Sequence, residues 1–289
     1  MQYQILTDAT ADMTERMKSG LPAIGVIPMQ IDLDGQSYTY GPGGDLSARA
    51  FYEALRAGKY ATTSMINPEV YKAAFEPHLR AGRDVLYLCF SSALSGTIDM
   101  ARMCAAELSE AYPGREIVIV DTLAAAPGEG FLVCEAARRQ LEGATLSELA
   151  AWVTKNRRKV CHWFTVDTFE HLKRGGRVSA ATAAVGTLLQ IKPLLHVDET
   201  GALKAAEKPR GRKKAIEAQL ARMAKGWDSA YTRRVVVGHG DAPEEAEKLE
   251  AAVAARFPEA EIDLVEINPI IGAHTGPGIL ALVFWGTER

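Results

Sequence analysis

Three clusters of hydroxyl and imidazole residues have the spacing to do chemistry on an anion. The first is Ser91-Ser92-Ala93-Leu94-Ser95-Gly96-Thr97, between an apolar run and a helical pattern. Unpaired N–H groups at a helix start, with the positive end of its dipole, favour negative charge. The Ser and Thr hydroxyls add donors. The run carries no lysine, so it is not a Walker-type phosphate loop. A plain Ser/Thr helix cap would read the same way. The second cluster is Gly272-Ala273-His274-Thr275-Gly276-Pro277-Gly278, whose glycines and proline predict a tight loop around His274. That imidazole is a hydrogen-bond donor, a base or a structural residue. The third, Thr62-Thr63-Ser64, is by itself an ordinary turn just before Asn67-Pro68.

Ser95, His274 and either Asp8 or Asp121 supply the residue types of a serine hydrolase. The chain lacks the G-x-S-x-G elbow that exposes such a nucleophile. Between 173 and 214, Lys173, Arg174, Arg177, Lys192, Lys204, Lys208, Arg210, Arg212, Lys213 and Lys214 face only Asp198, Glu199 and Glu207. Such a stretch is either a set of solvated helix ends or a positive face that steers an acidic or phosphorylated partner.

Positioning these clusters requires an alternation of strands and helices. Gln2–Leu6 is a strand ending in the polar turn Thr7-Asp8-Ala9-Thr10, which opens a helix. Ile24–Leu33 is a β segment ending at the hairpin signal Asp34-Gly35. Leu46–Gly58 has helical periodicity, and Asn67-Pro68 opens the next helix with an N-cap and a first-turn proline. Val85–Phe90 is apolar throughout, as a strand covered on both faces is. Helices to about Tyr112 and over Gly128–Leu141 flank the strand Glu116–Val120. This alternation predicts a parallel sheet with helices on both faces. After a helix over Ser147–Lys159 come strands at Cys161–Val166, Pro193–Val197, Leu203–Glu207, Val235–Gly238, Ile262–Ile267 and Ile279–Phe284. Helices over Phe169–Lys173, Gly211–Ala224 and Glu244–Phe257 lie among them. The reading is an α/β protein of two domains, 1–155 and 156–289, with the boundary inside 145–159.

Of 289 residues, 33 are Lys or Arg and 36 Asp or Glu, a balance that excludes a dedicated nucleic-acid binder. Aromatics at 7% offer no base-stacking platform. The start MQYQILTDATADMTERM lacks the basic-then-apolar pattern of a secretory leader. Apolar runs such as Ile279–Trp285 are too short to cross a bilayer. Cys89, Cys104, Cys134 and Cys161 are widely spaced, with no zinc pattern. The expectation is a cytoplasmic protein with reduced cysteines, no metal and no stable membrane insertion.

In order and spacing the motifs resemble the DegV family, the fatty-acid-binding subunits of bacterial fatty acid kinases. The resemblance rests on Leu6-Thr7-Asp8-Ala9-Thr10-Ala11-Asp12, Thr63-Ser64, Ser91–Thr97 and Val120-Asp121-Thr122. It continues in Leu172-Lys173-Arg174-Gly175-Gly176-Arg177-Val178-Ser179, Ile191-Lys192-Pro193, Arg210-Gly211-Arg212-Lys213-Lys214-Ala215 and Gly272–Gly278. It implies a Rossmann-like N-terminal domain, a second α/β domain, and one long-chain fatty acid between or within them. It places the carboxylate at Thr63, Ser95 with Gly96, and His274, with Ser64, Ser92 and Thr275 beside them. A separate kinase subunit would dock through Arg177, Arg210 and Arg212 and phosphorylate the carboxylate with ATP, giving an acyl phosphate for phospholipid synthesis. The binding subunit would need no cofactor and catalyse nothing alone. The chain departs from the family at Met65-Ile66-Asn67, where Gln-Pro-Ser is usual, and at Ala9, commonly Ser. The competing reading is an independent serine-type hydrolase of acyl esters.

Overall fold

The structure, a computed structural model, describes residues 2–179 and 190–289. The first half runs β1 (Tyr3–Asp8), α1 (Glu15–Lys18), β2 (Gly25–Ile27), β3 (Met29–Leu33), β4 (Gln36–Tyr40), α2 (Ala48–Arg56), β5 (Ala61–Thr63) and α3 (Pro68–Arg80). It continues with β6 (Asp84–Cys89), α4 (Thr97–Ala111), β7 (Ile117–Asp121), α5 (Ala126–Leu141) and α6 (Leu146–Asn156). The second half holds β8 (Val160–Thr165), α7 (Glu170–Arg174), β9 (Leu194–Val197), β10 (Leu203–Glu207) and α8 (Arg212–Gly226). It closes with β11 (Arg234–His239), α9 (Pro243–Arg256), β12 (Glu261–Glu266), α10 (Pro269–Thr275) and β13 (Leu280–Trp285).

The expected parallel sheet is present, in the order β2-β1-β6-β7. Its interior strand β6 is buried from Val85 to Cys89, which explains the unbroken apolar run there. The single β segment expected over Ile24–Leu33 divides at Pro28. β2 joins the parallel sheet, whereas β3 pairs with β4 and β5 in a small antiparallel sheet. Proline has no N–H to give a ladder, so it marks the changeover. The helix expected after Thr10 shrinks to the short α1, capped by Thr14.

The second sheet, β10-β9-β8-β13-β11-β12, is mixed, with β11 and β12 its parallel pair. Helix α5 passes between the two sheets and is buried on nearly every side, Glu129, Glu135 and Gln140 included. One core cluster joins Phe131 and Val133 of α5 to Leu86 and Leu88 on one side and to Val236 and Val283 on the other. Most of the apolar sequence run from Ala180 to Ile191 lies outside the described residues.

The tight loop expected over Gly272–Gly278 is instead the end of a helix. Asn268 caps α10 through the Ile271 amide, Pro269 opens it, and the helix stops at Gly276. His274 therefore sits on the last turn of a helix, held by backbone hydrogen bonds.

Candidate functional site

Alternation along β8 and β13 sends successive side chains to opposite faces. Leu280, Leu282 and Phe284 enter the core under α8 and α9, whereas Ile279, Ala281 and Val283 line a pocket. Phe90, Leu94, Phe164, Leu172 and Ile270 complete much of its apolar wall. The cavity measures about 120 Å³. At roughly 10–15 Å³ per water-sized sphere, it has room for about ten such groups. Its outer end is marked by the exposed Ser64 and Met65, and its inner end by the buried His162 and Val283.

At the outer end, Thr63 and His274 meet. Thr63 closes β5, where it pairs with Ile31 of β3. Its Oγ1 lies 2.7 Å from His274 Nε2. His274 Nδ1 is buried and has no hydrogen-bond partner among the described residues. Burial, followed by the neighbouring Arg177 cation and His171, holds the imidazole down to about 4, so it is neutral at pH 7. Space for the ring comes from Gly175, where a β carbon would strike Nδ1.

The Ser91–Thr97 run forms the expected βα turn. Ser91 bonds inward to the Gly201 carbonyl at 2.9 Å, and Ser95 Oγ accepts the Thr97 amide at 3.3 Å. Ser95 lines the pocket beside Thr63 and Ser64. Thr97 Oγ1 accepts the Ile66 amide at 3.2 Å, which ties the Thr63–Ile66 segment to the start of α4. Asn67, in the stretch that departs from the family pattern, caps α3 through Val70 N at 3.0 Å, a task serine also performs.

Six of the residues singled out in the sequence, Thr63, Ser64, Ser95, Arg177, His274 and Thr275, line this one pocket. Thr275 gives its hydroxyl proton to the Ile271 carbonyl at 3.1 Å. Ser92 and Gly96 are exposed and lie off the pocket wall; the Ser92 amide bonds Asp121 at 3.2 Å.

The three arginines expected at a docking face have different surroundings. Arg177 is half-buried and donates to the carbonyls of Leu94, at 3.1 Å, and Gly175. No carboxylate pairs with it among the described residues. Arg210 is exposed. Arg212 is only 11% exposed, and its Nη2 lies 2.7 Å from Asp167, 2.9 Å from Glu245 and 2.7 Å from the Gly278 carbonyl. Arg212 thus ties α8 and α9 to the turn that leads from α10 into β13.

Beneath the pocket lies a set of buried acids, Asp8, Asp12 and Glu129, of which the sequence reading weighed only Asp8. Asp12 Oδ1 accepts both the amide of Asn268, at 3.1 Å, and its side-chain Nδ2, at 2.9 Å. Asn268 in turn caps the helix that carries His274. Burial pushes the Asp12 carboxyl up to about 8. Nearby, Thr10 Oγ1 touches Asp8 Oδ1 at 2.5 Å and Glu129 Oε2 at 2.7 Å. One hydroxyl proton serves only one of these acceptors, so the other bond takes its proton from a carboxylic acid. Burial raises both acids in accord with that count. The signal for the Asn268 cap was present in the sequence, since Asn268-Pro269 repeats the pattern of Asn67-Pro68.

The parts of a serine-hydrolase triad do not assemble. His274 bonds Thr63 rather than Ser95, and among the described residues no carboxylate bonds its Nδ1. Asp8 is taken by Thr10, Tyr87 and the Phe90 amide, and Asp121 accepts the amides of Ser92 and Leu123. Among the described residues no cluster suits a metal ion, and no helix is long and apolar enough to cross a membrane. All four cysteines are buried free thiols.

The DegV family model matches residues 2–286. A DegV domain-containing protein of Clostridium perfringens is 39% identical over 288 residues, covering 100% of this chain and 99% of its own. Among solved structures, a fatty-acid-binding DegV family protein from Thermus thermophilus is 31% identical with a TM-score of 0.86, covering 99% of this chain and 100% of its own. DegV of Bacillus subtilis, described as a fatty acid binding protein, is 28% identical with a TM-score of 0.83 and 99% coverage of both chains.

Proposed function

Because this chain belongs to the DegV family, we propose that it holds one long-chain fatty acid, tail inward and carboxylate at the outer end of the pocket. In this reading it presents that carboxylate to an ATP-dependent fatty acid kinase, which forms the acyl phosphate that feeds phospholipid synthesis. The observation that carries the reading is the Thr63–His274 contact at the outer end of a mostly apolar slot. A carboxylate does not enter a dry cavity unpaired. With His274 neutral and donating from Nε2 to Thr63 Oγ1, the Thr63 proton is free for the ligand, and Ser95 offers a second hydroxyl. Arg177 adds a cation beside the same opening.

The tail supplies the affinity. At about 0.8 kcal/mol per buried CH₂, ten methylenes contribute on the order of 8 kcal/mol before association costs. The chain's relatives from T. thermophilus and B. subtilis, described as binding fatty acids, support the ligand class. Its kinase partner is inferred from the motif resemblance and from the open head-group end. Native mass spectrometry of the purified protein tests the first part, with one fatty acid per chain expected. Absence of lipid together with no uptake of added acid contradicts it. For the second part, loaded protein with ATP and a fatty acid kinase subunit is expected to yield acyl phosphate, and loaded protein with ATP alone none.

A further inference from the structure

Thr63 and Ser95 reach the pocket from two different segments, one closing β5 and the other in the turn after β6. Thr97 touches both segments. Its amide donates to Ser95 Oγ at 3.3 Å, which leaves the Ser95 proton for a ligand. Its Oγ1 accepts the Ile66 amide at 3.2 Å, at the end of the segment that starts with Thr63. Thr97 is fully buried and lies off the pocket wall, so it acts on a ligand only through these two neighbours.

Behind Thr97 a chain of buried hydroxyls runs to Asp8. Tyr71 Oη lies 3.0 Å from Thr97 Oγ1 and 3.2 Å from Tyr87 Oη, and Tyr87 Oη donates to Asp8 Oδ2 at 2.8 Å. Burial holds both phenols above their usual range, so each keeps its proton. A proton count then sets the direction of the chain. Tyr87 gives its proton to Asp8, and its oxygen is left to accept from Tyr71, whose proton also faces the Thr97 carbonyl at 3.1 Å. The Tyr71 oxygen in turn accepts from Thr97 Oγ1. From the Ile66 amide inward, every donor points toward the carboxylate, and bonds aligned in one sense strengthen one another. Asp8 Oδ2 also accepts the amide of Phe90, the residue before Ser91, at 3.2 Å. One carboxylate oxygen thus holds the Ser91–Thr97 turn at both ends, directly at Phe90 and through two phenols at Thr97.

Resting on the fatty-acid reading above, we propose that Thr97 is a positioning residue for the ligand carboxylate: the chain from Asp8 through Tyr87 and Tyr71 fixes Thr97, and Thr97 sets the separation and aim of the Thr63 and Ser95 hydroxyls. None of these four lines the pocket. Tyr71 and Tyr87 pack with Phe75 in one aromatic cluster. Packing alone would be met by phenylalanine at both positions, with no buried hydroxyl to satisfy. The hydroxyls serve the chain.

The test compares dissociation constants of hexadecanoic acid and hexadecanol for the delipidated wild-type protein, Thr97→Val, Thr97→Ser and Tyr71→Phe. Thr97→Val keeps the shape and removes the acceptor of the Ile66 amide. Its preference for acid over alcohol should fall about fivefold, the effect of one hydrogen bond no longer aimed at the head group. Thr97→Ser, which returns the oxygen, should recover most of that preference. Tyr71→Phe breaks the chain away from the ligand and should lower the preference in the same direction, by less. Hexadecanol affinity, set by the tail, should stay near the wild-type value throughout. An unchanged preference in Thr97→Val overturns the proposal, whatever that variant costs in stability. An equal fall in Thr97→Val and Thr97→Ser overturns it too. If Thr97→Val does not fold, Tyr71→Phe decides, and a wild-type preference there overturns the proposal. Failure of the wild type to bind hexadecanoic acid overturns the fatty-acid reading itself.

Discussion

Thr63 and His274 lie 211 residues apart in the chain and meet through a 2.7 Å contact between Oγ1 and Nε2. One residue ends a strand of the small antiparallel sheet, and the other ends a helix packed between that strand and α7. The contact therefore fixes two elements and orients a hydroxyl in one stroke. If the account is right, Thr63→Val keeps the shape and loses the donor. Its affinity for a fatty acid should fall about tenfold relative to that for the matching fatty alcohol, the effect of one charge-assisted bond. Isothermal titration with both ligands checks this, and an equal loss for acid and alcohol would contradict it.

His274 should report ligand binding through its titration. In the free protein its imidazole titrates near 4 because burial disfavours the cation. A carboxylate placed at Thr63 stabilises the cation and moves the midpoint upward, whereas a fatty alcohol leaves it in place. NMR titration of the imidazole signals distinguishes the two. The stability consequence has a definite sign. Because the folded state resists protonation, the protein loses stability as pH falls from 6.5 through about 4, and His274→Gln should flatten that limb.

Asp12 acts on His274 at one remove, through the Asn268 cap. Its carboxyl is protonated in the folded chain up to about 8 but releases its proton near 3.8 when unfolded. Stability contributed by this group is full below 3.8 and declines as pH rises toward 8. Asp12→Asn keeps an acceptor for Asn268 and removes the titration, so its stability should vary less over that range. Asp12→Ala leaves the Asn268 amide and one of its two side-chain protons unpaired and should cost about 1–3 kcal/mol. Chemical denaturation across pH measures both.

The two arginines of the RGR run should separate by phenotype. Arg212→Ala removes a shared partner of Asp167, Glu245 and the Gly278 carbonyl, leaving Asp167 only Lys192, and should destabilise the fold by about 1–3 kcal/mol. Arg210→Glu, at an exposed position, should leave the unfolding midpoint in place and weaken kinase-dependent phosphorylation. Thermal melts and a coupled phosphorylation assay with the kinase subunit give the two readouts.

Local signals in the sequence carried much of this architecture. The uninterrupted apolar run of β6 announced a covered strand, and Asn67-Pro68 announced α3. The same dipeptide at Asn268-Pro269 announced α10, but the glycines that follow made the segment resemble a loop. Pro28 marked a change of sheet that periodicity alone does not reveal, because both halves are β-rich. The head-group residues were legible as separate clusters, but their meeting depends on pairing between β5 and β3 and on the path of α10, which are long-range facts. Arg212 looked like one more surface cation because its partners, Asp167 and Glu245, are distant in sequence.

A crystal structure of the protein loaded with hexadecanoic acid tests the central claim most directly. The account predicts continuous density running from Val283 outward, with a carboxylate oxygen within hydrogen-bond distance of Thr63 Oγ1. Density with the carboxylate turned inward, or a lipid bound elsewhere while side chains fill this slot, would contradict it.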